Sequence, residues 1–171
     1  MGVLDGLLFI NDLDVYVAYG AFLCEDRQGA NNNYSALLKP PAMKPYVAVN
    51  FRELDGEKLP EELLTAYEPR EVALQFMILA PSREDFIERW EAFLAMLSSG
   101  WLKLRVPELE RTFRMYYMSC TEYKQLTKLN ADTVAGKFKI KFREPVPFSR
   151  GISHEDGTEE KIDNEVEDIR L

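Results

Sequence analysis

The run E-V-A-L-Q-F-M-I-L-A (71–80), P-S-R-E-D-F-I-E-R-W-E-A-F-L-A-M-L-S-S-G (81–100) and W-L-K-L-R-V (101–106) decides the fold. It predicts a strand, a capped amphipathic helix over about 83–99, and a second strand. Val72, Leu74, Phe76 and Ile78 alternate onto one face of the first strand, and Ala73, Gln75, Met77 and Leu79 onto the other. The second set is itself fairly apolar, so both faces are expected to be covered. Ser82 stands at the N-cap with Asp85 three residues on, the spacing of a capping box. Glu84 and Asp85 also suit the positive end of the helix dipole. Phe86, Ile87, Trp90, Phe93, Leu94 and Leu97 fall on one apolar face, while Arg83, Glu84, Glu88, Arg89 and Glu91 occupy the rest. Gly100 offers a left-handed stop. Burial is worth roughly 1.5–3 kcal/mol for each large side chain, and the cap about 1 kcal/mol. Packing therefore fixes the helix and the caps fix its ends. Trp90, at helical spacing among leucines, reads as core and not as a ligand-stacking platform.

Downstream, 101–106 is a strand, 107–111 a polar turn, 112–121 a strand that pairs back, and 123–132 a loop. V-A-G-K-F-K-I-K-F-R (134–143) alternates cleanly, with Phe138, Ile140 and Phe142 inward and Lys137, Lys139, Lys141 and Arg143 outward. This is the one basic stripe in the sequence. It reads as a solvated strand face whose lysines discourage edge pairing, without the interleaved exposed aromatics of a nucleic-acid surface.

Upstream, Y-V-A-V-N-F (46–51) predicts a strand, Asp55-Gly56 a tight turn, and 61–67 either a helical turn or a polar connection. The segment 25–45 combines E-D-R-Q-G-A-N-N-N-Y-S with K-P-P-A-M-K-P and has no hydrophobic periodicity. It reads as a projecting loop or arm. Residues 7–10 and 15–19 read as a hairpin or bent strand pair around Asn11-Asp12, with Gly20 as a break. Asp12 and Asp14 read as caps on backbone N–H groups, with a cation site as the alternative. From 149 to 171 the composition turns polar and acidic, the profile of a disordered tail. Ile162, Val166 and Ile169 nevertheless recur there at helical spacing, which suits docking on a neighbouring subunit. The organisation expected is one β-rich domain over 1–148 with its arm at about 25–45, followed by the acidic tail.

The 171 residues are 46% hydrophobic and 12% aromatic, enough for one domain with a core that needs no metal or disulfide. A net charge of −8 opposes general binding to nucleic acid or anionic membranes. No run approaches the roughly 20 apolar residues of a membrane span, and the N-terminus lacks the cationic start of a signal peptide. Cys24 and Cys120 are expected to be reduced, half-buried thiols of a cytosolic protein. The single histidine, His154, lies in the acidic tail, so no fixed imidazole base is available. Phosphate-binding glycine loops and Cys/His zinc spacings are absent from the sequence. An enzyme, a cofactor and a bound metal are not expected.

Strand, helix and three further strands make an α+β fold: a mainly antiparallel β-sandwich or curled sheet with one helix packed on it. Four stretches give this order a family likeness. They are F-I-N-D-L-D-V (9–15) followed by Gly20, R-E-V-A-L-Q-F-M-I-L-A-P-S-R-E-D-F (70–86), W-E-A-F-L-A-M-L (90–97) and K-F-K-I-K-F-R-E-P-V-P (137–147). Over roughly 5–147 the chain resembles the N-terminal domain of the distal tail proteins of long-tailed phages and related minor tail proteins. It departs from them in having Asn11-Asp12 where the family often has Asn-Gly. It also has the acidic tail where a second, carbohydrate-binding-like domain would follow, so a receptor- or sugar-binding role is not implied.

The resemblance implies a non-enzymatic hexameric ring that joins tail tube to baseplate, assembled in the bacterial cytoplasm and carried in the virion tail. Its partners would be further copies of itself and other tail or baseplate proteins. DNA would pass through the lumen without sequence-specific contact, and no membrane would be involved. Tyr34, Leu37, Leu38, Pro40, Pro41, Met43, Ile162, Val166 and Ile169 are the candidate intersubunit contacts. Two alternatives stand beside this reading. One is a tail tube or tail-completion protein of related fold. The other is a cytosolic small-ligand module with Trp101, Tyr116, Tyr117 and Tyr123 lining its pocket.

Overall fold

The computed structural model describes residues 2–147. The acidic tail, with Ile162, Val166, Ile169 and His154, lies outside the described residues.

The strands are β1 (Phe9–Ile10), β2 (Leu13–Asp14), β3 (Ala21–Leu23), β4 (Arg70–Ala80), β5 (Trp101–Val106), β6 (Arg111–Gln125) and β7 (Val134–Glu144). The helices are α1 (Val15–Tyr19), α2 (Asn32–Leu38) and α3 (Arg83–Leu97). All seven strands belong to one curled antiparallel sheet in the order β2-β1-β5-β6-β7-β4-β3. The fold is α+β, and of the two expected forms it is the curled sheet.

Its spine is the β4–β7 pair, in register from Arg70 opposite Glu144 to Ala80 opposite Val134. β6 is bent by irregularities between Tyr117 and Ser119 and between Cys120 and Glu122, where extra residues add local twist and bend the strand. The bend carries the sheet around α3. Phe76, Phe93, Phe138 and Phe142 meet in the hollow, with centroid separations of 5.5 Å for Phe76–Phe93, 6.2 Å for Phe76–Phe142 and 6.4 Å for Phe93–Phe138.

Several local expectations are corrected. Residues 15–19 form a helical turn and not a strand, because Asp14 accepts hydrogen bonds from the Tyr16 and Val17 N–H groups at 3.0 and 3.2 Å. Gly20 closes that turn in the left-handed region (φ 61°), donating its N–H to the Tyr16 carbonyl at 2.8 Å. A Cβ on Gly20 would stand 2.2 Å from Arg89 Nη1 and 2.6 Å from the Leu79 carbonyl oxygen, so glycine is required twice over. The hairpin is shorter than expected: β1 and β2 flank Asn11 and Asp12, both at positive φ, the two-residue turn that matches strand twist. β6 runs on through residues 123–125 in place of a loop, since Tyr123 pairs with Phe138 and packs on its ring at 4.9 Å. Residues 46–51 are not a strand and contribute a single bridge, Val49 with Lys58. β7 lies inside the sheet between β6 and β4, so its lysines protect no edge.

Candidate functional site

α3 does not bury its whole apolar face. Phe86, Phe93 and Leu97 are enclosed, Trp90 and Leu94 are partly buried against the core, and Ile87 is 41% exposed. Phe86, Ile87, Trp90 and Leu94 form one wall of an open groove of about 600 Å³ whose other wall includes Tyr117, Tyr123 and Phe138. At the helix start, Ser82 Oγ accepts from the Asp85 N–H at 3.1 Å and donates to the Asp85 carboxylate at 2.7 Å. At the other end Ser98 is the cap residue, and Gly100 follows at φ 116°.

The segment that precedes β4 divides in two. Residues 25–38 are folded onto the body. Asn33 is buried, and its amide continues the pairing of the β4 edge beyond the end of β3. Its Nδ2 donates to the Cys24 carbonyl at 2.7 Å, and its Oδ1 accepts from the Gln75 N–H at 2.7 Å. Glu25 accepts from the Asn32 and Asn33 N–H groups at 3.0 and 2.9 Å, which serves the start of α2 in place of a local cap. Leu37 is fully buried in the core and is not accessible to a neighbouring subunit. Tyr34 packs partly against the core and donates its hydroxyl to Glu108. Burial, reinforced by that carboxylate, pushes the Tyr34 phenol up to about 12.

The projecting arm is the chain between Lys39 and Arg70, later than the 25–45 expected from the sequence. Every residue from 42 to 66 is exposed. Its two limbs run antiparallel. Lys44 N–H donates to the Ala66 carbonyl and Glu68 N–H to the Ala42 carbonyl, both at 2.8 Å, and Val49 and Lys58 exchange bonds of 3.0 and 2.8 Å. Gly56 turns the tip at φ 76°. Along the arm stand Val47 and Leu64, each 84% exposed, with Met43, Val49, Phe51, Leu54 and Leu63 also exposed. Leu38, Pro40 and Met43 are exposed at the root and Pro41 is half-buried there.

Arg70 pins both ends of the arm. Its Nη1 donates to the Lys39 carbonyl at 2.5 Å and its Nη2 to the Leu37 carbonyl at 2.9 Å, while Nε meets Glu144 at 2.5 Å. The guanidinium thus binds the carbonyls that α2 leaves unpaired at its C-terminus. Arg70 and Glu144 are 9% and 1% exposed, so neither charge can be left alone without a large penalty. No signal in the sequence separates Arg70 from the other arginines, because its role comes from three segments distant in sequence.

Asp14 takes the capping role, and its carboxylate also accepts from the Gly6 N–H at 2.6 Å. Asp12 faces Lys103 at 3.5 Å. Cys24 is buried and Cys120 is exposed, both as free thiols. Trp101, Tyr116, Tyr117 and Tyr123 do not converge on one cavity. The first three border a shallow depression, and Tyr123 joins Tyr117 in the α3 groove. Among the described residues no cluster of His, Cys, Asp and Glu is placed to hold a metal ion.

No protein-family model matches the sequence, and no curated protein matches it. Among solved structures, the fold is similar to the crystal structure of the Dit protein of phage SPP1, described as a paradigm of the hub adsorption apparatus in phages infecting Gram-positive bacteria. The two share 11% identity with a TM-score of 0.49, over 81% of this chain and 50% of that one. This chain thus matches about half the length of that protein, and a likeness of this grade carries no functional argument.

Proposed function

We propose that this chain is a non-enzymatic structural subunit of a long-tailed phage or prophage tail. It would assemble head to tail into a ring, six copies by resemblance, that connects the tail tube to the baseplate. The observation that carries the reading is the arm: residues 42–66 present aliphatic and aromatic side chains to solvent while their root is locked by a buried arginine. An isolated monomer gains nothing from such an element, whereas a neighbouring copy would bury it. The motifs at 9–15, 70–86, 90–97 and 137–147 support the same reading through their resemblance to distal tail proteins.

In a closed ring each subunit offers two different surfaces, and closure depends on rotation. The arm with Leu38, Pro40, Pro41 and Met43 is the donor surface in this reading. Mass measurement and negative-stain imaging of the concentrated full chain, alone and with tail-tube tips, test it. A ring is the expected result, and monomers under both conditions overturn the reading. Gold-labelled antibody on intact tails separates the remaining choices: label at the distal end supports the connector role, and label along the tube assigns a tube protein.

A further inference from the structure

The outward face of the sheet is cationic, although the chain as a whole is acidic. Lys103 stands opposite Arg114, Tyr116 opposite Arg143, Ser119 opposite Lys141, Glu122 opposite Lys139 and Lys124 opposite Lys137. With Arg105 this places eight cations on one face of β5, β6 and β7. Five carboxylates stand among them: Asp12 by Lys103, Asp26 by Lys137, Glu71 by Lys141 and Arg143, Glu122 opposite Lys139, and Glu25 in the same hollow as Lys124, Lys137 and Lys139. Eight against five leaves the face with net positive charge. β7 is an interior strand, so edge protection does not account for the lysines.

The complementary charge lies in the same chain. Residues 148–171 contain eight acids (Glu155, Asp156, Glu159, Glu160, Asp163, Glu165, Glu167, Asp168) and three bases (Arg150, Lys161, Arg170), a net charge of −5. The whole chain is −8, so residues 1–147 carry only −3. The segment follows directly from the end of β7, the strand that supplies four of the eight cations. At roughly 3.3 Å per extended residue, the eight residues from 147 to 155 reach about 26 Å, and the path back along β7 from Glu144 to Lys137 is about 23 Å.

We propose that the acidic segment 148–171 docks on the cationic outer face of β5, β6 and β7 of its own chain. Each exposed ion pair is weak, but eight acids tethered to a face of eight cations act collectively at this local concentration. The docked segment would cover the cationic face and so weaken any attraction of that face for phosphate. This goes beyond the ring reading and does not depend on it.

Zero-length carbodiimide coupling of the full chain, mapped by mass spectrometry, tests the docking. Amides from the carboxylates of 155–168 to Lys103, Lys124, Lys139 or Lys141 are expected in low salt. They should fall about tenfold in 1 M salt, where the screening length shrinks to about 3 Å. In the swapped chain, Lys139→Glu and Lys141→Glu with Glu159→Lys and Glu160→Lys, amides of reversed direction should appear. If that variant does not fold, the salt-dependent map of the unaltered chain decides alone. Equal coupling to Lys39, Lys44, Lys58 and Lys128 overturns the proposal. So does coupling found only between copies carrying different isotopes. Salt-sensitive retention of duplex DNA by the unaltered full chain, lost in Lys139→Glu/Lys141→Glu, would assign the face to nucleic acid instead.

Discussion

The β4–α3–β5 unit and the arm between Lys39 and Arg70 spend their apolar residues in opposite ways. In the first, Leu74, Phe76, Ile78, Phe93, Leu102 and Leu104 are excluded from water. In the second, Val47, Val49, Phe51, Leu54, Leu63 and Leu64 stand in it. The difference is not one of composition but of partners. Alternation at period two and recurrence at three and four residues place the first set on faces that neighbouring elements cover. Val47, Val49 and Phe51 alternate as well, but their limb is paired only through the Val49–Lys58 bridge, and no element among the described residues covers it. Hydrophobic residues that the fold cannot collect remain available to another molecule.

Stability measurements sharpen this contrast most at Phe93, which touches Phe76, Phe138 and Tyr19. Phe93→Ala should lower unfolding free energy by about 3–5 kcal/mol, read from the urea midpoint at unchanged slope. A loss below about 1 kcal/mol would mean that the hollow collapses around the missing ring. Arg70 comes next, since it joins the two regions. Arg70→Met should cost about 3 kcal/mol by removing the buried cation that faces Glu144 and the donors that serve the α2 carbonyls. It should also increase proteolytic cutting within 39–69, a readout that Phe93→Ala shifts only through global unfolding. Adding Glu144→Leu should recover part of the stability without restoring arm protection.

Smaller effects follow from the ends of α3 and from Cys24. Ser82→Ala removes the acceptor for the Asp85 N–H and should cost about 1 kcal/mol in thermal or urea unfolding. Burial pushes the Cys24 thiol from 9.0 up to about 11. Between those values the unfolded chain releases its proton while the native chain keeps it, so ν_U is below ν_N and stability falls as pH rises. Below pH 9 the thiol is protonated in both states and this contribution is flat. Cys24→Ala should lessen the alkaline decline, which the Tyr34 phenol continues at higher pH; an unchanged slope would remove Cys24 as its source.

The sequence made the core legible wherever periodicity and caps agreed: the strand at 70–80, the helix from Ser82, and the alternating strand that became β7. It was less informative where the deciding partner is remote. The polar run at 25–38 looked like loop because Asn33 and Glu25 resemble turn formers until the β4 edge and the start of α2 claim them. Residues 15–19 looked like strand because two valines and two tyrosines suit one, yet the carboxylate of Asp14 supplies the missing helix start. The outer cationic face was visible only along β7. The rows that include Lys103, Arg114 and Lys124 exist only after the strands are paired. The arm's irregular composition is plain in the sequence but its start is not, since the seven residues of α2 and its Leu37 anchor are too few to show a period.

The arm carries the smallest expected effect on the isolated chain and the largest on assembly. Val47 and Leu64 are each 84% exposed, so replacing both with aspartate removes little buried area and leaves no cavity. Unfolding free energy should stay within about 0.5 kcal/mol of the unaltered chain, the range for surface substitutions away from special features. In a ring, the same two side chains would move from water into a neighbour's surface. Burying an unpaired carboxylate there is far more costly than burying a methyl group. Val47→Asp/Leu64→Asp should therefore be a stable monomer under conditions where the unaltered chain forms rings. Equal stability with unchanged assembly would clear the arm of any role in subunit contact and return its exposed apolar side chains to the category of unexplained surface. Lost stability would show instead that the arm packs on its own body in solution, and that the contrast between the two regions is narrower than the fold implies.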